Sequence, residues 1–197
     1  MRRPALAAVA VLSCAGCFVA NTSKPPRYFH PASAAAWDGD RPGPADPEHM
    51  PLRLRRFHAA PYLRERIVWR SDVEYGFYEG RRWTEPPTAY VERAFGRELF
   101  LRRGLRHGDV GDAATCDVEL LAFDEALAPA HEAVVSVQVR LATPDRRVLL
   151  EQVFTARRPI AGADPAAVAR AMGGALDAAV AEASGGIVAA LPGRPRR

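Results

Sequence analysis

Apolar and polar residues alternate most cleanly between Val135 and Leu141, where Val135, Val137, Val139 and Leu141 interleave with Ser136, Gln138 and Arg140. A period of two puts the apolar set on one face of a strand and the polar set on the other. Cys116, Val118, Leu120 and Ala122, set against Asp117 and Glu119, predict a strand before it. Thr143-Pro144-Asp145-Arg146 reads as a turn with Pro144 pre-set for its second position, and Arg147 to Ala156 as the returning arm of a hairpin. Upstream, Leu52 to His58, Arg64 to Arg70 and Val73 to Glu79 also carry β character, the last with Val73, Tyr75 and Phe77 on one face and a turn following at Gly80.

Two segments change period. Val91, Ala94, Phe95 and Leu99 share one helical face that ends around Gly104; Thr84 is the expected N-cap, with Pro86 and Pro87 in the first turn. Val168, Met172, Leu176, Val180, Ala183 and Ile187 recur at three- and four-residue spacing after an Asp164 cap and a leading Pro165. Ala171, Ala175 and Ala179 between them allow a close approach to whatever the helix packs on, and Gly185-Gly186 is a point where it could loosen or end. Strands, helix, strands, helix, each helix apolar on one side, predict an α+β fold: a two-layer sandwich with a mostly antiparallel sheet and two helices on one face. The other sheet face is then half polar.

The N-terminus follows different rules. Met1-Arg2-Arg3, an apolar run from Ala5 to Leu12 and small residues before Cys17 are the parts of an export signal. The run is too short to span a bilayer, which takes ~20 residues. Ala15-Gly16-Cys17 resembles a lipobox, so Cys17 is the expected lipid attachment site, with Cys14 as the alternative. Residues 1–16 are thus read as a lipoprotein signal peptide and 17–51 as a lipidated N-terminus and flexible tether rich in Pro and Ala. The folded domain is placed at 52–191 and a basic tail at 192–197. As a coil the tether would average roughly 30 Å end to end.

Composition narrows function mainly by exclusion. The formal net charge of +4 is partly carried by Arg2, Arg3 and the tail arginines, so the domain has no nucleic-acid footprint. Downstream of the signal only Cys116 remains, in register with Val118 and Leu120, and it reads as a small buried hydrophobe. No phosphate-binding glycine loop and no Gly-x-Ser-x-Gly elbow occurs, and His30, His49, His58, His107 and His131 are scattered. His107-Gly108-Asp109 with Asp112 is a local polar cluster best read as a solvated loop. No catalytic, cofactor or metal site is expected. Tyr62, Trp69, Tyr75, Phe77, Tyr78, Trp83, Tyr90, Phe95 and Phe100 crowd one arginine-rich stretch. Trp69, Phe77 and Phe95 are read as core. Tyr78, Arg81, Arg82 and Trp83, around the turn at Gly80, are the candidate partner contact, because exposed aromatics beside arginine typify interfaces.

Ile67-x-Trp69-x-Ser71, Phe77-Tyr78-x-x-x-x-Trp83-x-x-Pro86-Pro87, the helix Val91 to Leu105, Asp117-Val118-Glu119-Leu120, the hairpin through Pro144-Asp145 and the closing Ala-rich helix together resemble the ABC-type transport auxiliary lipoproteins, also called PqiC-like. The resemblance runs from Leu52 to Leu191. One departure is the hairpin turn, where the family usually has a glycine and this chain has Asp145-Arg146-Arg147. The resemblance implies a non-catalytic role in phospholipid traffic, beside an ABC transporter and a membrane protein with MCE (mammalian cell entry) domains, held at the outer membrane and facing the periplasm. Phe18 after Cys17 is not aspartate, which agrees with outer-membrane sorting. A homo-oligomeric ring would suit such a role. Two other readings compete: a lipid-binding module using the free sheet face, and an assembly lipoprotein for an outer-membrane β-barrel.

Overall fold

A computed structural model of the chain describes residues 24–32 and 43–193. In chain order the elements are β1 (Arg27–Phe29), β2 (Leu52–Ala59), β3 (Arg66–Ser71), β4 (Glu74–Trp83), α1 (Pro87–Gly96), β5 (Ala114–Ala126), β6 (Glu132–Ala142), β7 (Val148–Pro159) and α2 (Pro165–Ala190), with a π-helical segment, Arg97–Arg102, prolonging α1. The seven strands form one sheet in the order β1-β4-β3-β5-β6-β7. Because β6 pairs along one edge of β5, the other edge is shared end to end: β2 pairs with Ala114 to Leu120 and β3 with Asp124 to Ala126. The long ladders β5–β6 and β6–β7 and the β3–β4 hairpin are antiparallel, while β1–β4, β2–β5 and β3–β5 are parallel. Parallel neighbours need a crossover, and α1 lies within the connection that returns the chain from β4 to β5.

Both helices lie on one face of the sheet, α2 over β6 and β7, α1 over β2 and against α2. The core is where the two layers meet. Val135, Val137, Val139 and Leu141 from β6 and Cys116, Val118, Leu120 and Phe123 from β5 face Met172, Ala175, Leu176, Ala179, Ala183 and Ile187 of α2. Burying each large aliphatic or aromatic side chain contributes ~1.5–3 kcal/mol. The small Ala175, Ala179 and Ala183 are fully buried, which is how a helix comes to lie close against a sheet. Asp164 accepts from the Ala166 amide as the N-cap, and α2 runs through both glycine pairs to Ala190.

Four local expectations differ from the structure. Thr84 does not cap α1; its hydroxyl pairs with the Tyr90 hydroxyl at 2.8 Å, and Pro86 occupies the capping position. Val73 lies in no strand but at the tip of a two-residue hairpin loop with Asp72, whose φ of 51° lets the strands join tightly. Phe95 is fully buried and Phe77 is half-buried against the core, whereas Trp69 is half-buried outside it. Trp69 stands directly opposite Gly76 and lies so close across it that a Cβ there would sit 2.1 Å from the indole ring.

The fourth concerns the supposed tether. β1 lies inside it and adds a short parallel strand beside β4, with Phe29 packed on the core. The Ala32 amide donates to Ala169 O, Gly43 N to Leu101 O, Asp46 N to Gly104 O and Met50 N to Pro192 O. These backbone bonds to strand β4, the helix ends and the chain terminus order residues 24–32 and 43–51 without any side-chain period. The signal peptide, Cys14, Cys17 and residues 194–197 of the tail lie outside the described residues.

Candidate functional site

The candidate contact segment sits where β4 departs from regular pairing. Val68 pairs with Phe77 and Arg66 with Arg82, so β4 uses five residues while β3 uses two. The four residues Tyr78 to Arg81 thus face the single Ile67 and are pushed out as a bulge. Gly80, at φ 66° with open space around its Cα, makes the reversal that a side chain would strain. What read as a turn ending the strand is therefore an excursion within it, and β4 resumes with Arg82 and Trp83.

Restarting the alternation after the bulge decides which way each side chain faces. Trp83 turns inward, 1% exposed, with its ring edge-on to Phe123 at 5.4 Å and to Tyr90 at 6.5 Å. Its place among the contact residues is thereby corrected: Trp83 is core. Tyr78, Arg81 and Arg82 stay half-buried at the surface. The Arg81 guanidinium lies 4.3 Å from the centre of the Tyr78 ring, and Arg82 Nη1 donates to Arg81 O at 3.1 Å. Burial and the nearby Glu125 carboxylate push the Tyr78 phenol up to about 12, so it remains a neutral donor.

Two neighbouring strands enlarge the patch. Arg66 of β3 stacks over Phe77 at 4.1 Å. On the other edge β1 pairs Arg27 with Arg81 and Tyr28 with Arg82; the two pairs lie on opposite faces of this sheet edge, and Tyr28 is 61% exposed. Sequence reasoning missed Arg27 and Tyr28 because they lie within the Pro-rich stretch; the β-prone triplet Arg27-Tyr28-Phe29 was the signal. Each stacked arginine gains ~0.5–1 kcal/mol at such exposed sites and loses little further freedom on binding. The stacked pairs hold these guanidiniums and rings in place at the surface.

Other polar groups are dispersed. Glu125 Oε1 lies 2.7 Å from His131 Nε2, and Asp46 Oδ2 lies 2.7 Å from His49 Nδ1, at separate places in the fold. His107 stacks on Phe100, with ring centres 3.5 Å apart, away from any assembly with Asp109 and Asp112. Among the described residues no group of three His, Cys, Asp or Glu side chains could hold a metal ion, and no helix is long and apolar enough to cross a membrane. Cys116 is buried, as its register requires, and burial pushes its thiol up to about 12.

A crystal structure of a DUF330-family protein from Xanthomonas campestris superimposes with a TM-score of 0.71 at 24% identity, covering 83% of this chain and 96% of that one. A second crystal structure, of an uncharacterized protein, matches with a TM-score of 0.59 at 13% identity over 84% of this chain and 98% of the other. These likenesses establish the fold. No functionally curated protein is significantly similar to the chain. The model of a family described as the ABC-type transport auxiliary lipoprotein component matches residues 38–184, beginning inside the stretch the sequence assigned to the tether. The chain belongs to the ABC-type transport auxiliary lipoprotein family.

Proposed function

We propose that this auxiliary lipoprotein is a non-catalytic docking component of a lipid transport system. In this reading Cys17 carries the lipid anchor, the protein is held at the outer membrane facing the periplasm, and its partners are an MCE-domain membrane protein and the associated ABC transporter, with phospholipid as cargo. The observation that carries it is the bulged sheet edge, where Arg81 stacks on Tyr78 and Arg66 on Phe77, with Arg27 and Tyr28 of β1 paired alongside Arg81 and Arg82. Pre-stacked rings and guanidiniums around a strand irregularity supply contact energy and orientation, as an adaptor requires.

The test is crosslinking of envelopes that contain the tagged full-length protein, followed by affinity capture and mass spectrometry. Recovery of an MCE-domain protein with its transporter subunits, lost when Arg81 and Arg82 are both replaced by glutamate, is the expected result. Recovery of an outer-membrane β-barrel instead would transfer the protein to the assembly-lipoprotein reading.

A further inference from the structure

Away from the bulge, the polar face of the sheet ends in a groove of about 540 Å³. Its floor is Arg53 and Arg55 of β2, Thr115 and Asp117 of β5, and Arg140 of β6. The loop from Asp109 to Ala113 forms one wall and the Thr143 to Arg146 turn the other. Four arginines from three elements of the chain converge here against two carboxylates, Asp109 and Asp117. Both oxygens of Asp117 are already taken by Arg55, at 3.0 and 2.8 Å. Arg140 Nε stands 3.7 Å from Glu151, where both side chains are half exposed and the pairing is weak. Arg53 and Arg146 make backbone contacts only, to Thr115 across the ladder and to Thr143 O; among the described residues neither guanidinium has a hydrogen-bond or ion-pair partner.

The turn adds a second, independent sign. Arg146 has φ 69°, in the left-handed region that glycine occupies without strain and arginine does not. Thr143 holds the turn closed by bonding the Asp145 carboxylate and the Arg147 amide, so the acidic group of the turn is tied back. A guanidinium thus stands on the rim at the position where backbone conformation favours having no side chain.

We infer that this groove is a binding site for a phosphate ester anion, held by Arg53, Arg140 and Arg146. Arginine's planar fork matches phosphate oxygens in pairs, which suits it to this task better than lysine. Few apolar side chains line the groove, chiefly Val110, Ala113, Ala142 and Pro144, so it takes a headgroup-sized anion and leaves no room of the right character for an acyl chain. The anion comes either from a lipid headgroup or from a free phosphate compound. The inference goes beyond the docking reading and does not rest on it.

The test uses the full chain in uncharged detergent micelles, titrated by calorimetry with sn-glycerol 3-phosphate, with inorganic phosphate, and with micelles containing phosphatidylglycerol. The expected result is saturable, salt-sensitive binding that weakens about a hundredfold in the double variant Arg53→Gln, Arg146→Gln. Displacement of glycerol phosphate by phosphatidylglycerol micelles assigns the lipid source. Displacement by inorganic phosphate, and not by those micelles, assigns the free one. Absence of saturable binding, or equal affinity in the double variant, overturns the site. Arg146→Gly guards against misfolding as the explanation: it relieves the backbone, so its melting temperature should hold or rise while its affinity falls at least tenfold. Retained affinity in that variant counts against the site. No partner protein enters this experiment, so its failure and that of the crosslinking are separate results.

Discussion

Trp83 shows how little a side chain's neighbours in sequence say about its surroundings in space. Flanked by arginine, threonine and glutamate, it is nevertheless wedged between Phe123 and Tyr90. Trp83→Ala should therefore cost ~3–5 kcal/mol of folding stability in a denaturant titration, with partner capture falling only as far as folding falls. A loss below about 1 kcal/mol would return it to the surface. Asp124 makes the opposite contribution. Burial pushes its carboxyl up to about 6, against the Phe123 amide and Arg70, which pull it down. Between its ordinary value near 4 and 6, the folded chain keeps a proton that the unfolded chain has lost. Stability from this group is then full below pH 4 and declines until pH passes 6, by on the order of 2–3 kcal/mol. Asp124→Asn cannot titrate, so its stability relative to the native protein should improve by that amount from pH 4 to pH 7. Urea midpoints at the two pH values read the difference, and a constant gap would refute the assignment.

At the scale of elements, periodicity was the legible signal and pairing was not. The alternation from Val135 to Leu141 and the α2 spacing are local properties of a chain with one buried face, and both elements appear where the pattern places them. β1 offered only the short triplet Arg27-Tyr28-Phe29 among prolines, which becomes a strand because β4 offers an unpaired edge. The bulge was legible as a break at Gly80, but whether β4 ended or resumed there depends on β3, which lies elsewhere in the chain. That ambiguity is what misdirected Trp83 while leaving Tyr78, Arg81 and Arg82 at the surface. The Trp69–Gly76 pairing is similarly invisible before register is known, and it carries its own prediction. Gly76→Ala places a methyl group where the indole lies and should destabilise the β3–β4 hairpin by ~1–3 kcal/mol. The companion change Trp69→Val should remove most of that penalty, and additive losses in the double-mutant cycle would show that the two do not collide.

For the molecule as a whole, the two faces of the sheet divide the work. One is spent on the helices and the core, which leaves the rim near β1 and β4 for the arginine–aromatic patch and the far polar end for the groove. The family pattern was legible because its motifs fall on structural positions; the groove was not, because its arginines are scattered through the chain and meet only in the fold. Membrane attachment is tested at this scale. Cys17→Ser should move the protein from the membrane to the soluble fraction on cell fractionation, and unchanged retention would transfer the attachment to Cys14.

The strand β1 also limits reach. A chain free from Cys17 to Leu52 could extend ~120 Å, but one already stitched to the sheet at Arg27 has ten peptide links to spend, about 35 Å at full stretch. An anchor at Cys17 is then a short leash rather than a long one. It ties down the very edge that carries Tyr28 and Arg81, so a docked partner would have to meet this protein within a few nanometres of the lipid surface.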